Sequence, residues 1–232
     1  MTDASYHQFC PVAMASEILG ARWTIVLLRE LCAGSTRFND LRRGVPRMSP
    51  ALLAKRLREL EGHGVLEKRM VRRTPELHEY VLTEAGRDLT EVIMAIGIWG
   101  QRWVESEPSL ENTDPSLLMW DMRRNLRPDK LPPRAITVQF IYEDLSPAKA
   151  NWWLLHDPKK GADLCSVDPG FDVDLFVRTD LRTMTAIWMG LDNVSRAEDD
   201  GRLMCIGDTG VGRSMQDWLG LSPFAAYAKR AN

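Results

Sequence analysis

Apolar residues in the first hundred positions recur three or four apart, which predicts a series of short amphipathic helices. A first helix ends near Gly20, and a second ends at Gly34, a residue suited to the left-handed position that closes a helix. A short third helix covers about residues 37–43. A fourth begins at Ser49, a favoured N-cap, with Pro50 in the first helical position.

Two segments with alternating apolar and polar residues follow, at residues 65–71 and 79–82, and they predict a β-hairpin. Thr83 is a suitable N-cap for a long helix behind the hairpin. The apolar stripe of that helix consists of Leu89, Val92, Ile93, Ile96, Trp99 and Trp103. Helices, a hairpin and a closing helix in this order are typical of a winged helix-turn-helix.

The second half of the chain mixes strands and helices and predicts an α+β fold, with helices packed on one face of a sheet. Strand-like segments cover residues 135–141, 151–156, 163–167, 173–179 and 202–206, and helical stretches cover about 117–125, 181–189 and 211–219. Polar and Pro-containing sequence separates the two halves. We therefore predict two domains, residues 1–106 and 115–232, joined by a linker at 107–114.

The charge is unevenly distributed along the chain. The sequence has 30 basic and 32 acidic residues, a net charge of −2. The segment from Arg22 to Arg73, however, contains 13 basic and five acidic residues, a net charge of +8. One basic block on a nearly neutral protein indicates a polyanion partner, and the block coincides with the predicted helix-turn-helix.

The fourth helix is the predicted recognition helix, because a helix fits the major groove of DNA and this one carries basic residues opposite its apolar stripe. Basic residues of the hairpin are placed to reach phosphates or the minor groove. The residues predicted to contact double-stranded DNA are Arg47, Ser49, Pro50, Ala51, Leu52, Lys55, Arg56, Arg69, Arg72 and Arg73.

Residues 10–104 resemble the HxlR-type winged-helix regulators, which are related to the MarR group. The matching segments are residues 10–12, 19–24, 28–31, 37–41, 49–50, 57–61, 64–68, 80–86 and 99–100. The resemblance implies a homodimer on a roughly palindromic operator, with a recognition helix from Ser49 and a wing over residues 65–82. The long helix has more apolar surface than one winged helix can cover, which predicts the subunit interface. The predicted interface residues are Leu89, Ile93, Ile96, Trp99 and Trp103.

Residues of about 114–225 resemble, less specifically, the sterol-carrier-type lipid-binding fold. The segments that carry this resemblance are residues 152–155, 163–165, 168–175, 180–183, 187–190 and 218–219. It implies an apolar tunnel between sheet and helices. Five of the eight tryptophans also lie in this half, which suits a small apolar or aromatic ligand, although a fully packed core explains them nearly as well. The predicted ligand-binding residues are Trp120, Trp152, Trp153, Phe171, Trp188 and Trp218.

Other chemistry is weakly indicated. The four cysteines are scattered, as expected of reduced thiols in a cytoplasmic protein, and no motif predicts a metal, a cofactor, a membrane span or a targeting signal. Residues 207–212 lack the spacing of a phosphate-binding loop and predict a plain connection from strand to helix. We therefore expect no enzymatic activity.

The sequence favours a ligand-responsive repressor or activator of transcription. One alternative is a regulator that senses oxidants or electrophiles through Cys10, because cysteines in the matching Cys-Pro position of some HxlR-type proteins do so. An alternative of another class is a lipid carrier or CoA-linked enzyme in which the first half only dimerises. The basic recognition helix argues against this second alternative.

Overall fold

The computed structural model describes residues 5–72, 77–105, 110 and 113–230. Contacts between residues divide the chain into two units, Met1–Gly97 and Ile98–Asn232. The division falls inside a long helix, whereas the predicted linker at residues 107–114 lies mostly outside the described residues. The predicted domain boundaries therefore stay a prediction.

The first unit has the predicted order of helices and hairpin. Its elements are α1 (Pro11–Leu19), α2 (Thr24–Cys32), α3 (Phe38–Gly44), α4 (Pro50–Gly62), β1 (Leu66–Arg72), β2 (Leu77–Leu82) and α5 (Glu84–Trp103), the last of which continues into the second unit. Two predicted helix ends are confirmed. Gly34 adopts a left-handed φ of +89° after α2, and the Ser49 hydroxyl accepts a hydrogen bond from the Leu52 amide, 3.3 Å away, at the start of α4.

The core of this unit is formed by the inward faces of α2, α4 and α5. Leu28, Leu57 and Ile93 are all buried in one apolar cluster. The hairpin is antiparallel, with Leu66 opposite Leu82 and an irregularity between Met70 and Arg72. The two strands that form the wing are thus anchored at their base by the core, while the other end projects away from it.

The second unit contains a five-stranded sheet with helices, and each predicted strand is found within two residues of its predicted bounds. The elements are α6 (Pro115–Asn125), a single 3₁₀ turn (Pro128–Lys130), β3 (Ile136–Tyr142), α7 (Pro147–Ala150), β4 (Asn151–Asp157), β5 (Gly161–Cys165), β6 (Leu175–Thr179), α8 (Leu181–Trp188), α9 (Val194–Asp199), β7 (Leu203–Gly207), α10 (Thr209–Arg213) and α11 (Met215–Trp218). The strand order is β5-β4-β3-β6-β7, with only β3 and β6 parallel.

Helices cover one face of this sheet. Phe140 and Val177 point to that face and belong to the same buried cluster as Met119 of α6 and Met184 of α8. Register places Trp152 on this face, opposite Phe140, and sends Trp153 to the other face, opposite Gln139. The two adjacent tryptophans therefore lie on opposite faces of the sheet.

No single helix among the described residues is long and apolar enough to cross a membrane. Helices α1 and α2 reach the length and composition of a span only together, and they are bent by 85° at the break between them.

Candidate nucleic-acid interface

Helix α4 turns one face to the core and the opposite face to solvent. Leu53, Leu57 and Leu60 are buried, whereas Ala51, Lys55 and Arg58 are exposed. The exposed residues are four and three positions apart, so they form one row along the helix. This row has a small residue at the N-terminal end and two cations behind it, an arrangement that fits a groove with phosphates along its edges.

The N-terminal end of α4 is open to solvent. Arg47, Ser49 and Pro50 are all exposed there, as expected of residues that meet DNA. The Ser49 hydroxyl accepts the Leu52 amide, so its proton and one further lone pair remain available for other hydrogen bonds. Leu52 itself is half-buried and packs against the apolar core, so it is less available for contact than the residues around it.

The side chains of Lys55 and Arg56 differ in what they are free to bind. Lys55 is 61% exposed, with its Nζ 3.9 Å from Glu59. Arg56 is only 16% exposed, because its Nε donates to the carbonyl of Arg22, 3.3 Å away, and its Nη1 pairs with Glu59. Arg56 was predicted to contact DNA, but here it joins α4 to the segment before α2.

The wing presents basic residues on β1. Arg69 and Arg72 are exposed, and Arg69 pairs with Glu67 on the same strand. Arg73 lies outside the described residues. The exposed positions of Arg69 and Arg72 agree with a role in phosphate contact, although Arg69 would have to exchange an intramolecular ion pair for an intermolecular one.

A groove of about 510 Å³ separates α3 from the wing and contains further cations that the sequence analysis did not single out. Arg37, Arg43 and Lys68 line it together with His78 and Tyr80. Burial raises the pKa of Tyr80, so this side chain remains a neutral phenol. The local count of basic residues included these cations, but only the fold brings them to one groove.

The carboxylate of Glu30 on α2 is buried where α3 packs against α2. The side chain of Glu30 is fully buried and pairs with Arg29, 2.6 Å away, while Arg29 also donates to the carbonyl of Gly44 at 3.0 Å. A Cβ atom at Gly44 would lie 1.8 Å from the Glu30 carboxylate. The first helix of the helix-turn-helix is therefore held against α2 by the hydrogen bond from Arg29 to Gly44, and the Glu30 carboxylate lies so close to Gly44 that a side chain there would not fit.

Exposed apolar residues form a stripe on α5. Ile96, Trp99 and Trp103 are 42%, 61% and 49% exposed. Two other residues of the predicted subunit interface are placed differently, since Ile93 is buried in the core of its own unit and Leu89 packs against that core. Helix α5 needs one side for the core of its own chain, so only the exposed part of the predicted interface is open to a partner.

The aromatic residues predicted to bind a ligand are mostly committed to packing. Trp120, Trp188 and Trp218 are buried, and the Trp218 indole donates to the carbonyl of Val211 at 2.8 Å. Trp152 packs against the core, and Trp153 is buried on the opposite face of the sheet. Phe171 is exposed. Its ring is the member of the predicted set that lines a cavity, at one end of the sheet.

Two remaining predictions concern Cys10 and the loop before α10. Cys10 is the half-buried N-cap of α1, with Pro11 as the first helical residue, and thiol sensing there stays a prediction. Residues 207–212 connect β7 to α10, as expected, and the Asp208 carboxylate itself accepts the amides of Gly210 and Val211. Among the described residues, no group of three His, Cys, Asp or Glu side chains is arranged to hold a metal ion.

A helix-turn-helix with an exposed basic helix, followed by a hairpin and a long helix, defines the first unit as a winged helix-turn-helix module. Comparison with known proteins gives the family. The family model described as HxlR-like helix-turn-helix matches residues 18–108.

The HTH-type transcriptional regulator YdeP of Bacillus subtilis (strain 168) is 37% identical over 102 residues, which are 44% of this chain and 80% of that protein. The HTH-type transcriptional regulator YvaP of the same organism is 33% identical over 99 residues, 42% of this chain and 92% of that protein. Among solved structures, the redox regulator HypR in its reduced form is 31% identical and covers 45% of this chain and 100% of its own, with a TM-score of 0.39. This chain belongs to the HxlR-like helix-turn-helix family.

Proposed function

We propose that this chain is a transcription regulator that binds double-stranded operator DNA as a homodimer and responds to a small ligand. The observation that carries the proposal is the exposed row of α4, formed by Ala51, Lys55 and Arg58, within a segment of net charge +8. In this arrangement α4 enters the major groove, and the wing contacts the flanking phosphates. The regulators YdeP and YvaP, named for the same module, support this reading.

The exposed stripe on α5 supports the homodimer. Contiguous exposed aromatic and aliphatic residues mark interaction surfaces, and Ile96, Trp99 and Trp103 are three or four residues apart on one helix. A two-fold pair of α4 helices would read two half-sites of a roughly palindromic operator. The interface therefore sets the spacing of the half-sites.

We place the ligand site in the second unit. Its resemblance in sequence to sterol-carrier-type domains and its cavity of about 780 Å³ are the features on which this part of the proposal stands. A ligand alters DNA affinity only if it binds one dimer geometry more tightly than another. If the ligand changes the affinity of the protein for DNA by some factor, bound DNA must change the affinity for the ligand by the same factor.

DNA binding is tested with the Ala51→Glu variant. A carboxylate at this exposed position would repel DNA phosphates, so binding to the protein's own upstream DNA should be lost. Near the N-terminal end of a helix a negative charge is stabilising, so the variant should still fold. Ala148→Glu, an exposed alanine early in α7, is the matched control and binds like the wild type. Fluorescence anisotropy with labelled upstream DNA measures both. If Ala51→Glu binds this DNA as tightly as the control, α4 is not the recognition helix.

A further inference from the structure

A cavity of about 780 Å³ lies at one end of the sheet in the Ile98–Asn232 unit. It is formed where β3 begins, β4 ends and β5 begins, and the exposed Phe171 contributes to its lining. Sites for small molecules in proteins measure about 300–1,000 Å³. The cavity therefore has the size of a small-molecule site, and its polar groups indicate what it would bind.

A buried histidine lines the cavity without a hydrogen-bond partner. His156 is only 6% exposed, and none of the residues described in the structure hydrogen-bonds to its imidazole. The Nδ1 atom is fully enclosed, so Nε2 is the nitrogen available to a ligand. Buried polar groups in native proteins nearly always have a partner. A ligand that accepts a hydrogen bond from Nε2 would give the imidazole a partner, while Nδ1 stays enclosed by the protein.

A fixed guanidinium lines the same cavity. The Nε atom of Arg123 donates to the carbonyl of Ala162 at 3.1 Å, and its guanidinium carbon lies 4.8 Å from the centre of the Trp120 ring. Within the described chain, the two terminal nitrogens of Arg123 make no hydrogen bond. The guanidinium is thus held in position with its forked donors free, the arrangement that pairs with a carboxylate.

The acidic residues around the cavity are either bound or solvated. The Asp174 carboxylate pairs with Arg134 at 2.6 Å, and Asp157 accepts the backbone amides of the turn after β4. Asp163 and Asp172 are exposed, so water screens their charge. The half-buried Arg123 and the buried His156 therefore offer donors that are partly or fully shielded from solvent, and the lining also includes the hydroxyl of the buried Thr137 and the exposed Lys160.

We propose that this cavity binds a small monocarboxylic acid with a flat apolar body. Its carboxylate pairs with Arg123 and accepts a hydrogen bond from His156, while its body lies against Phe171 and against Ile136, the residue opposite His156 in the sheet. This inference rests on the proposed regulation by a ligand and adds the site and the chemical class.

Three probes of equal shape test the class on the full-length protein without DNA. They are naphthalene-2-carboxylate, its neutral carboxamide and the cationic naphthalen-2-ylmethylammonium, with binding measured by isothermal titration calorimetry. We expect the acid to bind about tenfold or more tightly than the amide, because one charge-assisted pair is lost, and the amine to bind least. The proposal is overturned if the amine binds most tightly, or if the acid has a Kd above about 1 mM.

Variants test the site. Arg123→Gln should weaken binding of the acid about tenfold and leave the amide nearly unchanged, whereas Arg123→Lys should retain most of the preference for the acid. Phe171→Ala, at an exposed position that does not support the fold, should weaken both probes severalfold. Arg196→Gln, at an exposed arginine of α9, is the matched control. If Arg123→Gln remains folded and binds the acid like this control, the site is wrong.

A direct readout comes from the imidazole signals in nuclear magnetic resonance spectra. Naphthalene-2-carboxylate should shift the signals of His156 and leave those of the exposed His63 unchanged. The opposite pattern would overturn the site. A separate titration against DNA distinguishes the two proposals: binding at the cavity without any change in DNA affinity refutes regulation by the ligand and leaves the site intact.

Discussion

Two neighbouring basic side chains on α4, Lys55 and Arg56, have different surroundings, although the sequence predicts DNA contact for both. Lys55 points to solvent, whereas Arg56 is bound to the carbonyl of Arg22 and to Glu59. A cation that is already committed to its own protein must break those contacts before it can bind a phosphate. We therefore propose that Lys55 and Arg58 contact DNA, whereas Arg56 attaches α4 to the segment before α2.

Alanine substitutions separate these roles. Lys55→Ala should weaken DNA binding and leave the free energy of unfolding within about 0.5 kcal/mol, as is usual for surface changes. Arg56→Ala should lower the free energy of unfolding by about 1 kcal/mol through the lost hydrogen bond. Urea denaturation and anisotropy with upstream DNA measure the two quantities. The assignment is wrong if Arg56→Ala leaves stability unchanged and weakens DNA binding as much as Lys55→Ala.

At the scale of elements, the wing and α5 meet at a glycine. The amide of Gly86 donates to the Thr83 hydroxyl at 3.2 Å, so Thr83 caps the N-terminus of α5, as predicted. The same hydroxyl contacts the carbonyl of Gly64 at 2.6 Å, just before β1. A Cβ atom at Gly86 would lie 2.0 Å from the carbonyl oxygen of Val65. The start of the wing therefore packs directly on the first turn of α5.

Gly86→Ala should lower the free energy of unfolding by about 1–3 kcal/mol, the usual cost of overpacking, because Val65 belongs to backbone that cannot move freely. Gly100→Ala is the control in the same helix, since a Cβ atom there meets nothing within 4 Å. It should be neutral or stabilising by up to about 1 kcal/mol. Urea denaturation followed by circular dichroism compares them, and equal midpoints would contradict the close packing.

Local signals predicted the helix ends, and distant contacts account for what the sequence missed. Ser49, Pro50 and Gly34 act within one turn of chain, so their effects could be inferred from neighbours. The burial of Glu30 depends on Gly44, which approaches it only after α3 packs on α2. Glu30 shares the helical spacing of the apolar residues Leu27 and Leu31, but that spacing does not indicate which residues of other elements surround its charge.

The same reasoning applies to the second unit. The strand-like segments of the sequence predicted all five strands, because the signal for each strand lies within its own few residues. Trp188 and Trp218, which were predicted to bind a ligand, instead belong to the core between sheet and helices, and Trp152 packs against it, since large side chains are also what a dry core needs. The cavity combines residues from α6, β3, β4 and the segment before β6, and their proximity follows only from the sheet order.

For the whole molecule, the proposed homodimer depends on the exposed stripe of α5. Ile96→Glu should convert the protein to monomers, because two carboxylates would be buried close together across a two-fold axis. Glu91→Ala, at an exposed position on another side of α5, should remain dimeric. Light scattering coupled to size-exclusion chromatography measures the mass. A dimeric Ile96→Glu variant would place the interface elsewhere.

The salt dependence of binding to the protein's own upstream DNA tests the central claim most directly. A dimer that contacts several phosphates with each subunit should lose about 10³-fold or more in affinity between 50 and 200 mM salt. Lys55→Ala should reduce the slope of log affinity against log salt by about one for each subunit. A slope near zero for the wild type, or an unchanged slope for Lys55→Ala, would contradict the assignment of α4 and the wing as the DNA-binding surface.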